Sequence, residues 1–449
     1  MQPREDQGRS PRGIERRYVE AEMRLDTANN TLSASGQLSP GSHDSSESPR
    51  LCQSLSGPTD KDNRYSQKPI AFTHEEALLL HHYTEHLGRW LDCSDASRKF
   101  TLIVPERARQ CPILCQAVLC FAARHRREDM IADAAYQRCI TRLIDRLNEK
   151  SAIQDEMLLS AVVILHFAEQ LHDSSTTSSC DKPHLAGGSA IFRASQSTQF
   201  IDPSAPHLRE AAFWIHVRQN LYNATVDQRP LDIDFSLKMY PAPDAIQGSH
   251  PWTWLGLETA WANQILWNTA TVAQFCFAGT GTRSESACET QWQVLWDKTQ
   301  KWHKGRPRTF EPIMLGPFRD GCVFPSIWFT TDWHAISFVY YHLSCVLLLL
   351  YTPGPRFAIR YVHSQLSESK RQILDHSQAI YCACKSLPEN PQLGIMLCYT
   401  IFIWGPLLSK TEERNEVINL LQKFEENHSW RTSWVISALK VEWGMNPTG

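Results

Sequence analysis

Cysteine is nearly missing from the start of this chain: of 14 cysteines in 449 residues, Cys52 alone precedes Cys93. One thiol in the first ninety-two residues cannot supply the paired ligands of a zinc domain. An excess of positive charge is missing too. The balance of 45 Lys+Arg against 48 Asp+Glu leaves a formal charge of −3, which excludes a globally basic nucleic-acid coat and a polybasic membrane binder. Any DNA contact would have to come from a local patch. The opening residues, MQPREDQGRSPRGIERR, hold no apolar segment of the secretory kind, so the expected location is intracellular and reducing, where disulfides do not persist. The longest apolar run, Phe338–Tyr351, is shorter than the ~20 residues that cross a bilayer and carries His342; it reads as a buried core helix, and no membrane partner is expected. Gly-x-Ser-x-Gly, a phosphate-binding P-loop and the dinucleotide fingerprint do not occur. The expectation is therefore no enzyme, no catalytic or metal-ligating residue, and no cofactor.

What is present points to helices. Hydrophobic residues make up 42% and aromatics 10% of the chain, with 15 Trp, ample material for a large core. Length alone allows roughly three domain-sized units, or fewer if one fold is large. Residues 1–69 are rich in Ser, Pro and Gly and show no apolar period, so they read as a disordered tail with one short helical candidate over Ile14–Leu25. From Phe72 the pattern changes. Thr73 and Glu76 form a capping box, and Leu79, Tyr83, Leu87 and Trp90 then share one helical face. Pro112 suits a first helical position, with Leu114, Val118 and Phe121 following. A third helix runs through Ala135, Cys139, Leu143 and Leu147, and a fourth, 155–171, is apolar almost all round and should be central. After a Ser/Thr-rich break at 173–180, helical spacing recurs over 187–195, 209–228, 255–276, 288–303, 332–351, 367–387, 393–409 and 411–426. Strand-type alternation is scarce. The expected class is all-α, a single multi-helix array over 70–449.

Four constellations could carry chemistry. Cys111, Cys115 and Cys120, and separately Cys382 and Cys384, are clustered, but each group lies in helical pattern and has no matching ligand pair downstream; buried thiols fit better than zinc. His82, Glu85 and His86 form H-x-x-E-H, the inverted zinc-peptidase pattern, in which two histidines share a helix face beside a carboxylate base. Nothing downstream identifies a third ligand, and the same residues suit the polar face of an amphipathic helix, so a zinc hydrolase is the remote reading. Lys304-Gly305-Arg306-Pro307-Arg308 is similar to an AT-hook, which lays an extended arginine in a narrow minor groove, and it equally suits a loop between helices. Arg124, Arg126 and Arg127 fall at a helix C-terminus, where the helix dipole favours cations.

Several segments together resemble the fungal-specific transcription factor domain, the helical regulatory region usually found C-terminal to a zinc binuclear cluster. They are 78–125, 155–171, 210–235 and 425–444, with Trp90, Pro105, Pro112, Trp214, Arg229-Pro230, Trp430 and Trp443 in the expected order. The resemblance implies a nuclear regulator of metabolic or secondary-metabolite gene clusters. Its implied partners are other transcription regulators, a homo- or heterodimer mate, promoter DNA (directly or through a partner) and a small-molecule effector. The family's DNA reader needs six cysteines, which the sequence before the helical region does not contain, so no DNA-contacting or metal residue is carried over.

Overall fold

A computed structural model describes residues 69–445 apart from 150–153, 173–182, 197, 247–249, 279–283, 317–322, 354–361 and 388–389. The expected tail, with its Ile14–Leu25 candidate, and the Ser/Thr-rich break at 173–180 lie outside the described residues. Helices dominate what is described. In chain order they are α1 (His74–His82), α2 (Gly88–Leu91), α3 (Lys99–Leu102), α4 (Val104–Ala108), α5 (Pro112–His125), α6 (Asp129–Leu147), α7 (Glu156–Leu171) and α8 (Pro183–Ser195). Then follow α9 (Leu208–Asp227), α10 (Pro251–Phe277), α11 (Glu285–Gly305), α12 (Asp332–Leu350), α13 (Val362–Ser386), α14 (Pro391–Trp404), α15 (Thr411–His428) and α16 (Ser433–Glu442). Strand is confined to two minimal pairs, β1 (Phe200–Ile201) parallel to β2 (Lys238–Met239), and β3 (Met314–Leu315) antiparallel to β4 (Ile327–Trp328).

Local chemistry starts the helices where the sequence signals place them. Thr73 Oγ1 accepts from the Glu76 amide at 3.2 Å while Glu76 accepts from the Thr73 amide at 3.0 Å, so two orphan donors of the first turn are satisfied reciprocally. Asp155 caps α7 from outside it, accepting from the Met157 amide at 3.0 Å. Pro112 opens α5 and Pro391 opens α14, where the missing N–H costs nothing. Leu79, Tyr83, Leu87 and Trp90 are all buried as their spacing predicts. The backbone between them is not uniform, however: Tyr83–Leu87 forms a π-turn between α1 and α2. There Gly88 comes so close to α3 that a Cβ would sit 2.7 Å from the Thr101 Cα, so only glycine fits.

The helices pack as a chain of neighbours that closes on itself. α5 packs on α6 and α7, α7 on α9, α9 on both α10 and α14, α10 on α12, α12 on α13, and α13 on α14. α15 and α16 complete the array against α14. α7 is buried along most of its length, as an all-round apolar helix requires. By length and hydropathy α12 could cross a membrane, but it is the one such helix among the described residues and most of it is buried against α10, α11 and α13. The last turn of the chain returns to the first: Trp430 packs on Trp90 with ring centroids 6.2 Å apart, and Trp443 donates to the Gly405 carbonyl at 2.9 Å. α16 and the short α3 and α4 were not legible as separate helices, since ten residues or fewer give too few turns to show a period.

The close fit of α14 on α15 is testable at Gly394, where an added Cβ would lie 2.3 Å from the Phe424 ring. Gly394→Ala should lower stability by about 1–3 kcal/mol through overpacking, exceeding the ~1 kcal/mol of helix propensity it adds. A urea midpoint at or above the parent's would contradict that contact.

Candidate functional site

The deepest polar cluster gathers where α2 ends. A helix C-terminus leaves carbonyls without intrahelical donors, and here they face the core rather than water. The Trp90 carbonyl accepts from the Gln392 side-chain amide at the start of α14. The Leu91 carbonyl accepts from Arg218 Nη2 in the middle of α9 at 2.7 Å, and Arg218 Nη1 reaches Ser94 Oγ at 3.3 Å. Beyond the helix end, Asp92 accepts from the Phe100 and Thr101 amides, both at 2.7 Å. Asp95 accepts from the Ser97 and Lys99 amides and pairs with Lys99 Nζ at 3.2 Å. Thr259 Oγ1, on α10, accepts from the Ala96 amide at 3.0 Å. Burial, and then the Asp95 charge, push the Asp92 carboxyl up from its ordinary value. The segment 88–101 is thus wired into α9, α10 and α14 by polar side chains.

Beside this junction lies a partly open cavity of about 20 Å³. α7 lines it with Phe167 and Gln170, α9 with Arg218, Gln219 and Tyr222, α12 with Tyr340, and α14 with Gln392, Ile395, Met396 and Tyr399. Tyr222 meets Tyr399 edge-on at 5.4 Å and Trp430 at 6.0 Å. Gln219 donates to the Val163 carbonyl at 2.9 Å. The Arg218 side chain is buried, and among the described residues no carboxylate lies within ion-pair distance of it; its Nε has no partner. Sequence reasoning assigned no role to any of these residues. The available signal was the run His216, Arg218, Gln219, Asn220 inside α9, polar groups with Trp214, Val217 and Leu221 around them and no separate polar face to occupy.

The sequence constellations are placed elsewhere. All eleven described cysteines are free and buried. Burial first of all raises Cys115 and Cys120 to about 12, and Cys139 Sγ donates to the Ile113 carbonyl at 3.3 Å. His82 does approach His86, with ring centroids 4.8 Å apart, but its Nε2 lies 3.0 Å from His125 Nδ1, a partner the H-x-x-E-H spacing did not suggest. Glu85 is exposed. Among the described residues no three His, Cys, Asp or Glu side chains are grouped to hold a metal ion. The AT-hook reading is corrected. Gly305 ends α11 against the Trp261 ring, 3.4 Å from where its Cβ would be. Arg306 folds back onto the His303 carbonyl and ring, and Phe310 is buried on the His334 ring. The backbone at Arg306 and Pro307 is extended, but the Arg306 side chain is engaged with the helix end rather than projecting from it. Arg124 is likewise more than a surface cation: it is buried and bridges Asp129 at 2.7 Å and Asp133 at 2.6 Å across the turn into α6.

The chain belongs to the family of the fungal specific transcription factor domain, whose sequence profile matches residues 78–449. It is similar to Transcription activator AMTR1 of Alternaria alternata, 22% identical over 217 residues, covering 41% of this chain and 27% of that protein. The chain therefore spans little more than a quarter of that relative's length. No solved structure matches. Family and relative both belong to transcription regulation and not to an enzyme class.

Two outcomes follow from the geometry. Arg218→Lys keeps the charge but loses the fork that serves Leu91 and Ser94 together, and should cost about 1–3 kcal/mol in chemical denaturation; an unchanged midpoint would mean the junction is not stabilised by that fork. The second concerns pH. Burial, and then neighbouring histidine charge, lower His82 and His125 from 6.5 to about 4. The unfolded chain therefore takes up protons between 6.5 and 4 that the folded chain refuses. The contribution of these two histidines to stability is full above about pH 6.5 and is lost as pH falls toward 4. Replacing both histidines with Gln should flatten part of that slope in melting temperature against pH, the remainder belonging to groups such as His216, lowered mainly by burial to about 3. An unaltered slope would contradict the assignment.

Proposed function

We propose that this chain regulates transcription of a metabolic or secondary-metabolite gene cluster in the nucleus, acting through residues 70–449 as one helical regulatory domain. The observation that carries the reading is the family match across 78–449. Sequence-specific DNA contact is supplied by a partner chain. One observation supports that division of labour: in the clearest basic motif among the described residues, Lys304–Arg308, the Arg306 side chain is turned back onto the His303 ring and carbonyl. The charge of −3 is in keeping with a protein that meets promoters through another.

Fusing residues 70–449 to an unrelated DNA-binding domain should change expression of a reporter several-fold when tethered at its promoter. No change from the fused domain would overturn the regulatory reading. The purified chain alone should show no site-specific duplex shift at moderate salt, where only phosphate-driven binding weakens steeply. A tight, sequence-specific shift without a partner would refute the indirect mode.

A further inference from the structure

We propose that the cavity beside Arg218 binds the carboxylate head of a small organic acid, making that acid the effector of the regulator; this rests on the regulatory reading above. Arg218 is 6% exposed, and the groups it meets, the Leu91 carbonyl, Ser94 Oγ and the Cys93 thiol, which burial keeps protonated, are neutral. A buried guanidinium balanced by no carboxylate is costly, and an anion is what completes it. Other polar groups share the lining of the cavity with it. Tyr222 offers a hydroxyl with no hydrogen-bond partner among the described residues, and the side-chain amides of Gln170 and Gln219 each make a single hydrogen bond, leaving a second N–H to donate. Met396 and Phe167 supply the apolar remainder.

Size and charge narrow the ligand. A space of about 20 Å³ takes a water or a carboxylate head and no ring, so the remainder of the acid leaves by the open side. One guanidinium matches one negative charge; a phosphate or sulfate dianion would leave a second charge buried. A neutral amide of the same shape lacks the charge altogether. Because α7, α9, α12 and α14 all line the site, and Arg218 also holds the end of α2, occupancy tightens the junction of the whole array.

The test uses the full chain, with sodium acetate as probe and acetamide and sodium chloride at matched ionic strength as controls. Acetate should raise the melting temperature saturably by mass action, and acetamide and chloride should not. Tyr222→Phe should weaken acetate binding about tenfold, the loss of one hydrogen bond to a charged group. Met396→Phe fills the cavity while leaving the hydrogen bonds of Arg218 in place, so it should melt near the parent temperature and lose the acetate response. No saturable rise in the parent chain, an equal rise with chloride or acetamide, or an undiminished rise in Met396→Phe would overturn the site. Absence of binding with the tethered reporter still active removes this site alone; acetate binding with an inactive reporter removes the regulatory reading and leaves the site.

Discussion

The helix that ends at Leu91 points its last carbonyls into the protein, and the rest of the array is arranged around satisfying them. Water cannot reach Trp90 and Leu91, so an unmet carbonyl there would carry its full desolvation cost. The donors come from far away in sequence: Arg218 from the middle of α9 and Gln392 from the first turn of α14. Three parts of the chain, separated by more than a hundred residues each, are fixed to one point. Nonspecific apolar burial would accept many arrangements of these helices. A carbonyl that needs one donor in one direction accepts few.

The aromatic residues then close the structure that the polar junction orients. Trp90 touches Phe121, His125, His428 and Trp430, so the first helices, α5 and the C-terminal pair share a single cluster. Trp214 donates to the Asp202 carbonyl at 3.1 Å and packs edge-on to Trp267, tying α9 to α10. A second polar knot adjoins the first, centred on Glu258 beside Thr259. Burial works against the charge of Glu258, but hydrogen bonds from His334, Thr309 and Trp333 outweigh it and keep the carboxyl below its ordinary range. α10, α12 and the corner after α11 meet there.

Periodicity made the long helices legible because each spends several turns presenting one face to the core; α5 starts at Pro112 as expected, α6 holds all four expected face residues, and α7 and α9 lie within a residue of their expected bounds. The Thr73–Glu76 box and Pro112 were legible because capping is local chemistry. The ordered landmarks Trp90, Trp214, Trp430 and Trp443 carried the resemblance, and all four are buried. The cavity was not legible. Its members come from four helices, and Arg218, Tyr222 and Gln392 acquire meaning only when α9 is laid beside α14. The Lys304–Arg308 motif misled for the converse reason: five residues fix composition and an extended backbone, but not whether an arginine side chain projects or, as at Arg306, folds back onto the helix end.

A junction that orients the whole array requires the 88–101 segment to be as firmly held as the core it joins. Native-state hydrogen exchange at the Phe100 and Thr101 amides, both bonded to Asp92, measures this directly. Exchange only through global unfolding, with opening free energies equal to those of core amides in α9, is the predicted result. Exchange of these two amides through a low-energy local opening, while α9 stays protected, would contradict it.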